Sequence, residues 1–233
     1  MPVTFTVPCK RIGSCADHSD VDWFMLLNGM RGLRPGLTPK ERIDRTAYAL
    51  FTRHGIRAVG VDTIVARSGV GKMTLYRHYA SKDKLVLAFF ARRWEVFSRG
   101  WQSEVQALGL PPREALLAVF DVLDKWYRSP GYKGCPVVKA ILESAPSEGP
   151  VYVGAQRYFS SVRGYLRKLA ADAGVRHPDA VAMQWHILVW GSIIGACAKE
   201  RNAARRAKEV ATAILVQEEG PARRHRPLQR KRR

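Results

Sequence analysis

Two glycines two residues apart, Gly69 and Gly71, separate one short helical pattern from another, and this spacing constrains the fold more than any other feature of the chain. The segment from Asp62 to Ser68 reads as a short helix, Gly69-Val70-Gly71 as a sharp turn, and Lys72 to about Tyr79 as a second short helix. Two short helices joined by a glycine turn form a helix-turn-helix, whose second helix lies in the major groove of DNA. The juxtaposed Gly71 and Lys72 raise one competing reading, a phosphate-cradling P-loop. That loop needs a strand followed by G-x-x-x-x-G-K-[ST]. Here Ala66 stands for the first glycine, Met73 for the hydroxyl, and no buried strand precedes them.

The neighbouring segments supply the rest of a small helical domain. Thr38-Pro39-Lys40-Glu41 reads as a helix start, with Thr38 as N-cap, Pro39 at the first helical position and Glu41 closing a capping box. Ile43, Ala47, Leu50 and Phe51 follow at helical spacing, and Gly55 ends the helix. Ser81 caps a fourth helix, with Asp83 in its first turn and a stripe of Leu85, Phe89 and Trp94. Beyond it, helical patterns cover Arg113 to Ser129, Pro136 to Ser144, Val151 to Ala173, Pro178 to Lys199 and Ala203 to Gln217. No segment alternates at period two, so the expected fold is all-α: a three-helix DNA-binding domain at 38–83 and a helical domain at 84–218.

Within the helix that follows the turn, Leu75 and Tyr79 share a face with Val70 and should pack inward. Lys72, Met73, Thr74, Tyr76, Arg77 and His78 are left facing out, a set of donors and amphipathic groups without an acid. Phosphate contacts give affinity and base edges give specificity. Lys72 suits guanine O6 or N7 and Met73 the thymine methyl, while Thr74, Tyr76, His78 and Lys82 can donate to phosphate oxygens. Between Thr38 and Lys84 there are ten Lys or Arg and four acids. Over the whole chain 39 basic side chains face 20 acidic ones, and a net charge of +19 favours a polyanionic partner.

Other classes find little support. The apolar run Ile187 to Ala198 is broken by Gly191, Ser192 and Gly195 and is shorter than the ~18 residues of a membrane span, so a soluble, cytoplasmic protein is expected, with no membrane partner. Cys9, Cys15, Cys135 and Cys197 are too sparse for a disulfide scaffold. Cys9, Cys15 and His18 match no common zinc spacing, and nothing calls for a metal or cofactor. No G-x-S-x-G, H-E-x-x-H or C-x-x-C pattern marks a catalytic residue. Residues 1–37 read as a flexible arm, or as sequence upstream of a start at Met30, and residues 219–233 as a disordered basic tail.

From Ile43 to Phe90 the chain resembles the DNA-binding domain of the TetR family of transcriptional regulators. The resemblance rests on "LFTRHGI", then "DTIVARSGVGKMTLYRHYASKDKL", with T-L-Y, an aromatic residue three positions after the Tyr, and S-K before the fourth helix. It implies DNA contacts from Lys72, Met73, Thr74, Tyr76, His78 and Lys82. Two positions depart from the pattern: Val61 where the second helix usually has a Ser or Thr cap, and Val65 where a small Ala is usual.

"YKGCPVVKAILES" and "WHILVWGSIIGACA" resemble segments of one branch of the same family. That implies a homodimer formed by the last two long helices, with Val189, Ile193 and Ala196 at the interface. It also implies a small-molecule effector, for which Trp126, Tyr127, Cys135, Tyr158 and Trp185 offer a lining. The expected function is a ligand-released repressor that binds a palindromic operator on double-stranded DNA. A basic architectural DNA-binding protein without an effector stays open as the alternative, with the arginine-rich tail supplying most of its affinity.

Overall fold

The structure is a computed structural model that describes residue 29 and residues 36–144 and 149–218. The expected basic tail, most of the N-terminal arm and the Cys9, Cys15 and His18 group lie outside the described residues. Among the described residues the fold is all helical, with α1 Pro39–His54, α2 Val61–Ser68, α3 Lys72–His78, α4 Lys82–Ala107, α5 Pro112–Arg128, α6 Pro136–Ser144, α7 Pro150–Asp172, α8 Pro178–Cys197 and α9 Ala203–Glu218.

Local chemistry sets the first helices. Thr38 caps α1 through a reciprocal box: Glu41 N–H donates to Thr38 Oγ1 at 3.3 Å, and Thr38 N–H donates to Glu41 Oε2 at 2.9 Å. The Thr38 donors hold the Glu41 carboxyl below the usual carboxylate range. Helix α2 starts one residue earlier than its sequence pattern implied, with Gly60 as N-cap and Val61 as the first helical residue, so no side chain caps it. Gly69 ends α2 with φ +63°, the left-handed conformation an L side chain disfavours, and the Arg42 guanidinium donates to its carbonyl at 3.0 Å. Gly71 has an ordinary negative φ as the N-cap of α3. Only the first glycine of the pair is required by backbone conformation.

Ile43, Ala47, Phe51, Ile64 and Leu75 close the small core under α1, α2 and α3. Tyr79, just past α3, is tied to α1 by its hydroxyl, which donates to the Asp44 carboxylate and accepts from Lys40 Nζ at 2.9 Å. Helix α4 then runs out of this domain for 26 residues and packs on α1, α5 and α7. Where it meets α7, a Cβ at Gly154 would collide with Leu87 Cδ2.

The second unit is a bundle. Helix α8 lies against α7 and α9, α9 packs on α5, and the short α6 packs on α7 and touches α1. Its core is aromatic: Trp101, Trp126, Trp185 and Phe120 are fully buried, with Phe97 tilted against Trp101 at a centroid distance of 4.4 Å. By length and composition α8 is apolar enough to cross a membrane, but Val181, Ala182, Trp185, Val189 and Ile193 are buried within the bundle.

Candidate nucleic-acid interface and bundle cavity

The outward face of α3 follows from the period of a helix only seven residues long. Leu75 is fully buried and Tyr79 is 7% exposed, and these two anchor α3 to the small core. That fixes the rotation of α3 and turns Lys72, Met73, Tyr76, Arg77 and His78 outward, with Thr74 half-buried. Met73 is 78% exposed and Tyr76 40%, a large apolar and an amphipathic group that do no packing inside the chain. Apolar and amphipathic side chains of this kind can contact base edges and sugars.

Two features were not legible in the pattern. Lys72 Nζ forms an ion pair with Asp62 Oδ1 at 2.8 Å, across the turn from α2. The hydrogen bond to Asp62 holds the Lys72 ammonium above its ordinary range. Both side chains are exposed, so the pair is weak in water and orients Lys72 more than it stabilises the fold. Lys82 is half-buried at the start of α4; burial lowers its pKa, against the opposing fields of Asp83 and of Glu143 on α6. Glu143 also reaches the end of α1, with its Oε1 3.6 Å from where a Cβ of Gly55 would be. One end of α6 therefore stands at the junction of α1 and α4.

The other end of α6 lines a cavity in the bundle. Its volume is about 20 Å³, and its walls include Phe97, Trp126, Cys135, Val138, Tyr158 and His186. That is room for roughly one water. Of the five effector-lining residues expected from the sequence, the structure brings Trp126, Cys135 and Tyr158 to this cavity. The other two are elsewhere. Trp185 is fully buried in the core with its indole N–H donating to the Leu116 carbonyl at 3.0 Å. The Tyr127 hydroxyl is hydrogen-bonded to Ser192 Oγ at 2.7 Å, and burial raises its pKa.

Sequence reasoning passed over Arg93 and His186. Arg93 is fully buried, with its guanidinium 5.8 Å from the Trp126 ring and beside Tyr48, Cys135 and Tyr158. His186 is 1% exposed, and burial, then the nearby Arg163 charge, lowers its pKa to about 3. A signal existed for both. Arg93 falls four residues after Phe89 and four before Phe97, and His186 three before Val189, on the buried stripe of its helix.

Two of the expected interface residues on α8 are buried within the single chain. Val189 and Ile193 are 3% and 5% exposed within the single chain, so they belong to its own core, on the stripe that begins at Val181 and Trp185. Ala196 is half-buried. The outward apolar row of α8 is instead Met183, Ile187 and Ile194, which are 44%, 54% and 55% exposed.

The family model described as bacterial regulatory proteins, tetR family, matches residues 43–89. A Mycobacterium tuberculosis protein whose name links it to transcriptional regulation of mycofactocin biosynthesis is 41% identical over 54 residues, 23% of this chain and 27% of its own. A helix-turn-helix transcriptional regulator of Staphylococcus aureus is 31% identical over 58 residues, 25% of this chain and 31% of its own. The chain thus matches less than a third of the length of these curated relatives. Over the whole fold it is similar to a TetR-family regulator of Streptomyces coelicolor, with a TM-score of 0.69 and 24% identity over 77% of this chain and 95% of the other. A TetR-type protein of Streptomyces avermitilis gives a TM-score of 0.69 and 25% identity over 78% and 99%.

Proposed function

By its helix-turn-helix domain and its fold the chain belongs to the TetR family of bacterial regulatory proteins, and from that premise we propose that it is a sequence-specific transcriptional repressor. It acts as a cytoplasmic homodimer on a palindromic operator and is released by a small-molecule effector. The observation that carries the DNA reading is the α3 face: Lys72, Met73, Tyr76, Arg77 and His78 project from a helix whose opposite side is locked by Leu75 and Tyr79. In this reading Lys72 and Met73 meet base edges, and Thr74, Tyr76, His78 and Lys82 hold phosphates. Support for the dimer comes from the exposed row Met183, Ile187 and Ile194 on α8 with Val210 and Val216 on α9. A two-fold pairing through these helices would set two copies of α3 on one face of DNA, one helical turn apart.

Release requires a ligand that binds better to a state in which the two recognition helices have the wrong separation. Helix α6 is suited to transmit this, because it lines the cavity at Val138 and meets the end of α1 and the start of α4 at Glu143.

Selection of bound sequences from a random duplex pool at physiological salt tests the proposal. A palindromic consensus is expected, and recovery of no consensus, with binding that collapses as salt rises, would favour the architectural alternative. Replacing Tyr76 by Ala should reduce affinity for the selected site about tenfold or more, with circular dichroism unchanged.

A further inference from the structure

The chemistry around the bundle cavity indicates which effectors it accepts. Two buried polar atoms of its lining lack a hydrogen-bond partner, His186 Nδ1 and Trp190 Nε1, and a third buried group, the Tyr48 hydroxyl, meets Arg93. The first two belong to side chains that line the cavity, with the His186 and Trp190 rings 4.2 Å apart. A buried polar group without a partner is destabilising, and its persistence in an otherwise well-packed core calls for an explanation. The third, Tyr48, stands on α1 beside Arg93.

Charge narrows the choice. Arg93 is fully buried and keeps its proton at any ordinary pH, and its neighbours Tyr48 and Tyr158 are phenols that burial holds in the neutral form. Arg163 adds a second positive field on the His186 side, strong enough to help keep that imidazole uncharged. A cationic ligand would meet repulsion from two sides. The cavity wall itself is aromatic or aliphatic apart from Cys135 and His186, and Arg93 stands behind it, against Trp126, Cys135 and Tyr158.

Resting on the reading of this cavity as the effector site, we propose that the effector is an organic anion with an apolar body and one carboxylate, the carboxylate pairing with Arg93. The planar guanidinium matches a carboxylate with two parallel N–H···O bonds, a fit that an ammonium lacks. The apolar body lies against Trp126, Phe97 and Phe159, and the Trp190 indole N–H supplies one further donor. At about 20 Å³ the cavity admits such a molecule only if the bundle opens. Drawing Arg93 toward a ligand changes its contact with Tyr48, and so couples the site directly to α1 of the DNA-binding domain.

The test uses the full-length chain and a panel of apolar scaffolds, from single aromatic rings to long alkyl chains, each supplied as carboxylate, primary amide and amine. Binding is followed by calorimetry, and release by fluorescence anisotropy on the selected DNA site. Carboxylates should bind about tenfold or more tighter than their matched amides, and amines weakest. In Arg93→Gln the preference for carboxylate over amide should vanish. Should that variant fail to fold, the carboxylate-to-amide ratio in the unaltered protein decides alone. Equal or tighter binding of amides or amines, or no binding by any carboxylate, overturns the proposal. Carboxylates that bind without releasing DNA would leave the ligand class standing and remove ligand-released repression. Release by neutral or cationic compounds alone would do the reverse.

Discussion

The helix-turn-helix unit and the C-terminal bundle differ in what they bury. The first closes over a small aliphatic core, Ile43, Ala47, Ile64 and Leu75 with Phe51, and puts its polar and basic groups outside. The bundle encloses three tryptophans, a charged Arg93, a neutral His186 and a small cavity. Under the proposed function this difference has a reason: a surface that reads DNA must be rigid and its chemistry must face out, whereas a site for a small molecule keeps its chemistry inside and gives up some packing and some hydrogen bonds. Helix α4 joins the two units, with its first turn just after α3 and the rest of it packed in the bundle.

The largest expected effect separates the two cores. Trp185→Ala removes a fully buried ring and leaves the Leu116 carbonyl without its donor, a loss of about 3–5 kcal/mol that should lower the melting temperature of the whole chain, since α4 loses its support. Leu75→Ala should cost about 2–5 kcal/mol but act on the other unit. Hydrogen exchange should then show α1 to α3 opening while α5 to α9 stay protected. Uniform opening in both variants would mean that the two units fold as one.

A smaller effect marks the buried imidazole. His186 has a folded pKa near 3, below the ordinary unfolded value, so between those values the unfolded chain binds a proton that the folded chain does not. Stability contributed by the neutral imidazole is full above about pH 6.5 and falls as the pH drops toward 3, by about 1.4 kcal/mol per unit. Denaturant melts at pH 7 and pH 5 should show that loss, and His186→Gln should reduce it. The smallest effect lies in the turn. Gly69→Ala places a side chain at φ +63° and should destabilise by about 1–2 kcal/mol, whereas Gly71→Ala, at an ordinary φ, should change thermal stability far less. Equal effects at the two glycines would contradict the turn geometry.

Legibility followed the range of the interactions. The capping box at Thr38, the glycine turn and the outward face of α3 depend on residues within a few positions of one another, so their signals are local and the structure agrees with them. The bundle depends on pairings across the chain. A helix apolar nearly all round does not show which of its faces packs inward, and within the single chain Val189 and Ile193 lie in the core. In the same way Tyr127 and Trp185 have aromatic rings as suitable for a ligand as Trp126 and Tyr158, but each is held by a hydrogen bond with a residue distant in sequence.

The sequence by itself determined the helical class, the start of α1, the turn between α2 and α3 and which side chains of α3 face outward, because periodicity and backbone conformation act over a few residues. Only the tertiary structure decided that Arg93 and His186 are buried, that Lys72 pairs with Asp62, and that α6 stands between the cavity and the DNA-binding domain. Burial and charge pairing are set by which helices meet, and that is a property of the assembled chain.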